Sequence, residues 1–150
     1  MVYTPIIIIH NILRWVIVLA GLAAIVRAFI GWTQKKEWTL LDNRLSLIFT
    51  ISMDIQFLLG LILYLFLSPV TEVAFEDFGA AMANSGLRFF AVEHLLIMVV
   101  ALVLAHVARV LAKRAPDDTG KFRSIAIYFT VTMVLIFLGI PWDRPLFRLS

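Results

Sequence analysis

The sequence predicts an all-α fold, an integral membrane four-helix bundle with antiparallel up-down topology and both termini outside. Three observations predict it. Of the 150 residues, 62% are hydrophobic and 15% charged, with a mean hydropathy of +0.97; soluble domains are only about half apolar. Four segments, about 5–32, 44–67, 87–111 and 122–140, are long enough to supply the ~20 apolar residues that a helix needs to cross the hydrocarbon. Nine of the 13 Lys and Arg residues fall around the first and third connections, which places those loops in the cytoplasm by the positive-inside rule.

The first span begins at Pro5 and lacks a basic segment before its apolar run, so it reads as a retained helix rather than a cleaved signal peptide. The first connection, TQKKEWTLLDNR, is short and polar, and the third, KRAPDDTGK, carries Pro and Gly at a helix stop and restart. Both join sequence neighbours running in opposite directions. The second connection, SPVTEVAFEDFGAAMANSG, is longer and acidic; Val73, Phe75 and Phe78 suit a short helix lying against the bundle or the headgroup layer. The segment GIPWDRP closes the fourth span, with Trp142 at the interface and basic residues Arg144 and Arg148 beyond. No repeat or linker divides the chain, which reads as a single four-span domain over residues 1–150.

Several chemistries are excluded. The net charge of +3 comes from residues lying between spans, not from an exposed basic face, which argues against nucleic-acid binding. With no cysteine, disulfides, thiolate metal sites, iron–sulfur clusters and thioether-linked haem are out.

Ionisable groups at bilayer depth are costly and tend to mark sites. His10, Arg14, Asp54, His94 and His106 are the candidates. His10 lies five residues inside Pro5 and His94 six inside Arg88, so on parallel first and third spans they differ in depth by only ~1.5 Å. Two level imidazoles on two helices can supply both axial ligands of one b-type haem. Arg88 at the outer boundary and Arg14 within the bundle are candidates to balance the propionates, and Trp15, Phe89 and Phe90 to wall the macrocycle. Plainer readings stand beside these. Either histidine alone can serve as an interhelical hydrogen bond, and Arg14 can pair with Glu93 or reach towards headgroups.

His106 follows His94 by twelve residues, about 18 Å deeper, and cannot reach the same iron. With Asp54 and Gln56 on the second span it is a candidate proton relay or quinone site, the alternative being a simple interhelical bond. Gly21, Ala24, Gly60, Ala101 and Ala105 are small residues suited to close helix approach. Met53, Met98 and Met133 read as packing, and Thr130 and Thr132 as bonded to their own backbone. A zinc or copper site lacks a second close ligand pair.

The stretches HNILRW, QFLLGLILY, LRFFAVEH and GIPW, spread over nearly the whole chain, resemble the small four-helix bacterial membrane proteins labelled cytochrome b-like. The resemblance implies a b-type cytochrome of the bacterial inner membrane, with His10 and His94 as the haem ligands. Some members carry a histidine near the position of Asp54, which this sequence does not, so one haem b per chain is implied rather than two. The expected role is electron transfer between quinol and an external or partner-complex acceptor, by an electron-transfer protein or subunit rather than a stand-alone enzyme. The alternative is an accessory membrane subunit of a respiratory or photosynthetic complex. Expected partners are the lipid bilayer, subunits of such a complex or further copies of the chain, and a quinone.

Overall fold

The computed structural model describes residues 2–142; the expected basic tail with Arg144 and Arg148 lies outside them. Four helical segments are long and apolar enough to cross a membrane: Tyr3–Thr33, Leu40–Leu67, Ser85–Arg114 and Asp118–Gly139. Helix α1 is Tyr3–Thr33. Helix α2 is Leu40–Ile62, prolonged by a π-helical turn over Leu63–Leu67. Three short helices follow, α3 (Pro69–Glu76), α4 (Phe78–Ala83) and α5 (Ser85–Arg88). A second π-turn, Phe89–Glu93, then leads into α6 (His94–Arg114), and α7 is Asp118–Gly139. In place of one expected short helix, the second connection holds α3, α4 and the start of α5, with Val73, Phe75 and Phe78 all about half exposed.

The four long helices close a ring in which α1 packs on α2 and α7, and α6 packs on α7 and α2. Their outer faces carry exposed aliphatic side chains such as Leu19, Ile48, Leu58, Val103 and Val134. These are suited to lipid, and the chain is a membrane protein by the length and apolar character of its helices.

Small residues set the spacing of the bundle. Gly21, Ala24, Ala28 and Gly31 form one buried stripe on α1, and Ala101, Ala105, Ala108 and Ala112 form another on α6. Against them α7 places Phe122, Phe129 and Met133, all nearly inaccessible. Phe49 of α2 meets the Phe129 ring at 4.6 Å between centroids. Gly60 departs from the expectation of a packing residue, because its open side faces His10 rather than a neighbouring helix backbone. Thr130 bonds the Ala126 carbonyl at 2.6 Å as expected. Thr132 instead is fully buried with no hydrogen-bond partner for its hydroxyl among the described residues.

The first and third connections meet at one end of the bundle. The Trp38 N–H donates to Asp118 Oδ2 at 2.9 Å, and the Trp38 ring lies 4.9 Å from that of Phe122. Nearby, Asp42 is buried at the start of α2, where its carboxylate accepts from the Thr39 N–H at 2.9 Å and from Arg27 Nε at 2.7 Å. These contacts satisfy the start of a helix whose first N–H groups have no partner within it.

Helix α1 ends in a Schellman arrangement. The Lys36 N–H reaches the Gly31 carbonyl at 3.0 Å and the Lys35 N–H the Trp32 carbonyl at 3.4 Å, with Lys35 at φ 51°. This left-handed position is ordinarily glycine, which has no Cβ to strain it. Lys35→Gly is therefore expected to stabilise the bundle by about 1 kcal/mol, seen as a higher midpoint of thermal unfolding in detergent.

Candidate cofactor cavity between the four long helices

A cavity of about 190 Å³ lies near the end of the bundle opposite the Trp38–Asp118 contact, and the empty space including its mouth is about 1470 Å³. The enclosed 190 Å³ is smaller than the ~300–1,000 Å³ typical of sites for organic ligands, so an occupant of that class would also fill the open mouth. Helical spacing builds its walls. On α1 it is faced by Ile7, His10, Asn11, Arg14 and Ile17, and on α2 by Met53, Gln56, Phe57 and Gly60. Both sets follow the three- and four-residue steps of a single helix face. The start of α6 adds His94, Leu95 and Met98, the preceding π-turn adds Phe90, and Gly139 closes the wall from the end of α7.

His10 and His94 thus line the same cavity. The Nδ1 of His94 lies 2.8 Å from the Gly139 carbonyl oxygen. A carbonyl can only accept, so Nδ1 carries the proton and donates it, and Nε2 keeps its lone pair. This is the tautomer that a metal-ligating histidine uses, with the far nitrogen held by a carbonyl. On α1, Gln56 Nε2 donates to the His10 carbonyl at 3.0 Å, tying that turn to α2. A Cβ added at Gly60 would sit 3.5 Å from His10 Nε2, so the absent side chain leaves room beside that nitrogen.

Two polar features distinguish the cavity from a simple packing void. Arg14 is only 8% exposed and lines it, with its guanidinium 5.7 Å from the centroid of the Trp15 ring. Gln56 Oε1 is buried with no hydrogen-bond partner among the described residues. Buried acceptors are normally satisfied, so an occupant with a polar group would complete the cavity better than a purely apolar one.

Other expected residues take different places. Arg88 does not line the cavity: its Nε binds Glu93 Oε1 at 2.7 Å and its Nη1 donates to the Met82 carbonyl at 3.2 Å. The cause is the intervening π-turn, whose five-residue step brings residues 88 and 93 together. Glu93, the expected partner of Arg14, therefore binds Arg88. Trp15 also lies outside the lining, being a single step around the helix from Arg14. Phe90 is in the lining, while Phe89 stands beside it with its ring 5.8 Å from that of His94.

Asp54 and His106 do meet, with His106 Nε2 2.7 Å from Asp54 Oδ1, but on the outside of the α2–α6 seam. Gln56, expected to join them, faces the cavity instead. Residues two apart on a helix point to nearly opposite sides, so that separation was readable from the sequence.

Comparison with family models, curated proteins and solved structures gives no match.

Sequence reasoning missed Tyr64 and Thr71. The Tyr64 hydroxyl donates to the Ala91 carbonyl at 2.7 Å, and the Thr71 hydroxyl to the Tyr64 carbonyl at 2.9 Å. Both acceptors belong to π-turns, so α3 and the two π-turns are bolted together over the mouth of the cavity, which Tyr64 and Thr71 also line. A π-turn has no residue-type signature; only the polar residues near it hint at its freed carbonyls.

Proposed function

We propose that the chain is a membrane b-type cytochrome that holds one haem b between His10 and His94, near the outer face of a bacterial inner membrane. The observation that carries this reading is the 2.8 Å hydrogen bond from His94 Nδ1 to the Gly139 carbonyl, in a cavity that His10 also lines. It favours an imidazole prepared to offer Nε2 over one serving as interhelical glue, for which the Nδ1 bond alone would suffice but a shared cavity would not be needed. When bound, the haem would supply one-electron transfer between quinol and an acceptor at the outer side or in a partner complex.

The residues of the chain bind and insulate the group. His10 and His94, on different helices, would each offer one imidazole nitrogen to hold the group. Arg14 lines the cavity and would offer a cationic partner for a propionate, whereas Arg88 lies outside it. Phe57, Phe90, Met53 and Met98 give apolar walls that exclude water. No group of three or more His, Cys, Asp or Glu that could hold a metal ion occurs among the described residues; the proposed site would use a pair of histidines.

The same reading gives antiparallel spans with both termini outside. Support comes from the cavity, which gathers the first half of α1 and α6 with the second half of α2 and α7. Further support comes from the basic first and third connections, joined at the other end through Trp38 and Asp118.

Absorption spectra of the oxidised and reduced protein, with a pyridine haemochrome assay, test the proposal. About one haem b per chain is expected; a colourless protein expressed with ample haem would point instead to an accessory subunit. Gly60→Leu should fill the space beside His10 Nε2 and lower the haem-to-protein ratio at least severalfold while the helical content stays unchanged, as read by far-ultraviolet circular dichroism.

A further inference from the structure

A polar seam between α2 and α6 lies outside the cavity and runs to the basic end of the bundle. Asp54 and His106 meet in it, and one turn after His106 comes Arg109. Arg109 Nη1 donates to Ser46 Oγ at 2.5 Å and to the Asn43 carbonyl at 3.3 Å. Its Nη2 makes only a long contact, 3.5 Å from Asn43 Oδ1, and its Nε has no partner among the described residues. The guanidinium is thus anchored through Nη1, while the edge formed by Nε and Nη2 is scarcely used by the chain. That edge is one of the forks with which arginine grips two oxygens of a phosphate.

The contacts of Arg109 are all neutral oxygens. Helix α6 carries no acidic residue, and the two on α2, Asp42 and Asp54, are paired with Arg27 and His106. Two more cations stand beside it: Lys113, one turn on along the same face of α6, and Arg44, next to Asn43, both exposed and neither in an ion pair among the described residues. Their depth is that of the headgroup boundary. The span Ser85–Arg114 has 30 residues, about 45 Å at the helical rise, against a hydrocarbon core of ~30 Å. Centred on the membrane, it leaves about five residues beyond the hydrocarbon at each end, which sets Arg109 at the edge. By the same arithmetic the 28-residue span Leu40–Leu67 sets Asn43 and Arg44 at that edge.

We propose that this end of the seam is a site for one anionic phospholipid, its phosphate held by the Nε–Nη2 edge of Arg109 with Lys113 and Arg44 beside it. The inference is independent of what the cavity holds. A phosphate diester is the anion that a bilayer presents at this depth, and basic pockets between spans suit such headgroups. A zwitterionic headgroup fits less well, because its ammonium would meet three cations. Towards the membrane interior the exposed neighbours are Leu47, Ile51 and Val103, which suit acyl chains. A second copy of the chain, packed two-fold on this face, would set the same cations against one another.

Native mass spectrometry of the purified full chain in mild detergent tests the proposal, with dioleoylphosphatidylglycerol and dioleoylphosphatidylcholine titrated separately. One phosphatidylglycerol per chain is expected to bind saturably, at least about tenfold more tightly than phosphatidylcholine. Arg109→Gln should remove most of that preference. It also breaks the bonds to Ser46 and Asn43, whereas the double variant Arg44→Gln/Lys113→Gln leaves them intact; the latter should still weaken phosphatidylglycerol binding severalfold, with helical content verified by circular dichroism. Arg123→Gln, at an exposed position on α7 at the same end, should leave binding unchanged. Equal binding of the two lipids, or a loss in Arg123→Gln as large as in the seam variants, would overturn the site. So would displacement of the lipid by excess inorganic phosphate, which would make a free anion the ligand. A lipid-free dimer that dissociates in Arg109→Gln would overturn it too, by making a second copy the occupant.

Discussion

His94→Ala should lose nearly all bound haem, with occupancy falling at least about tenfold relative to the unaltered chain. Loss of a mere outer-shell partner of a metal ligand costs ~10–100-fold in affinity, and here the proposed ligand itself would be removed. His10→Ala should behave alike, because each histidine would supply one of the two nitrogens that hold the group. The two variants are distinguishable from unfolding by rescue. Each leaves a gap of imidazole size in a cavity whose remaining walls are unchanged, so added imidazole should restore a low-spin spectrum in part. Retention of full haem in both variants, without imidazole, would remove the histidines from the site. Gly139 gives a companion expectation that cannot be tested by deletion, since its contribution to His94 is a backbone carbonyl.

Gly31→Leu is expected to destabilise the bundle more than any surface change, by about 1–3 kcal/mol or more. A Cβ at Gly31 would run into the Phe122 ring. That ring is 2% exposed and held by Trp38 at 4.9 Å, so it cannot swing aside. The strain would fall on the α1–α7 contact and on the junction of the first and third connections. By comparison, Gly79→Ala meets only the Asp77 side chain at 3.4 Å, an ordinary contact, and should have a small effect. Thermal unfolding of both variants in the same detergent would compare them. Equal midpoints would mean that α1 and α7 are not pressed together through Gly31.

The spans were legible because the bilayer imposes a length and an apolar content that no loop in this chain shares. Their ends were less so: α2 starts at Leu40 rather than near Arg44 because Asp42 turns back to Thr39 and holds the first turn. His10 and His94 were found from depth alone, since rise per residue converts sequence distance into height. Depth says nothing of direction around the helix, which is why Trp15 was misplaced and Gln56 grouped with Asp54. Angular steps would have corrected both. Arg88 was beyond such reasoning, because its pairing with Glu93 depends on a π-turn. The two π-turns also give Tyr64 and Thr71 their work, by exposing carbonyls that an α-helix would have used internally.

The proposed function requires the cavity to hold iron with two imidazole ligands. Near-infrared magnetic circular dichroism of the oxidised protein reads that ligand pair directly. The charge-transfer band of a low-spin ferric haem with two histidines is expected, lost in His10→Ala and in His94→Ala. A high-spin haem, a histidine–methionine pair, or a protein without haem would contradict it.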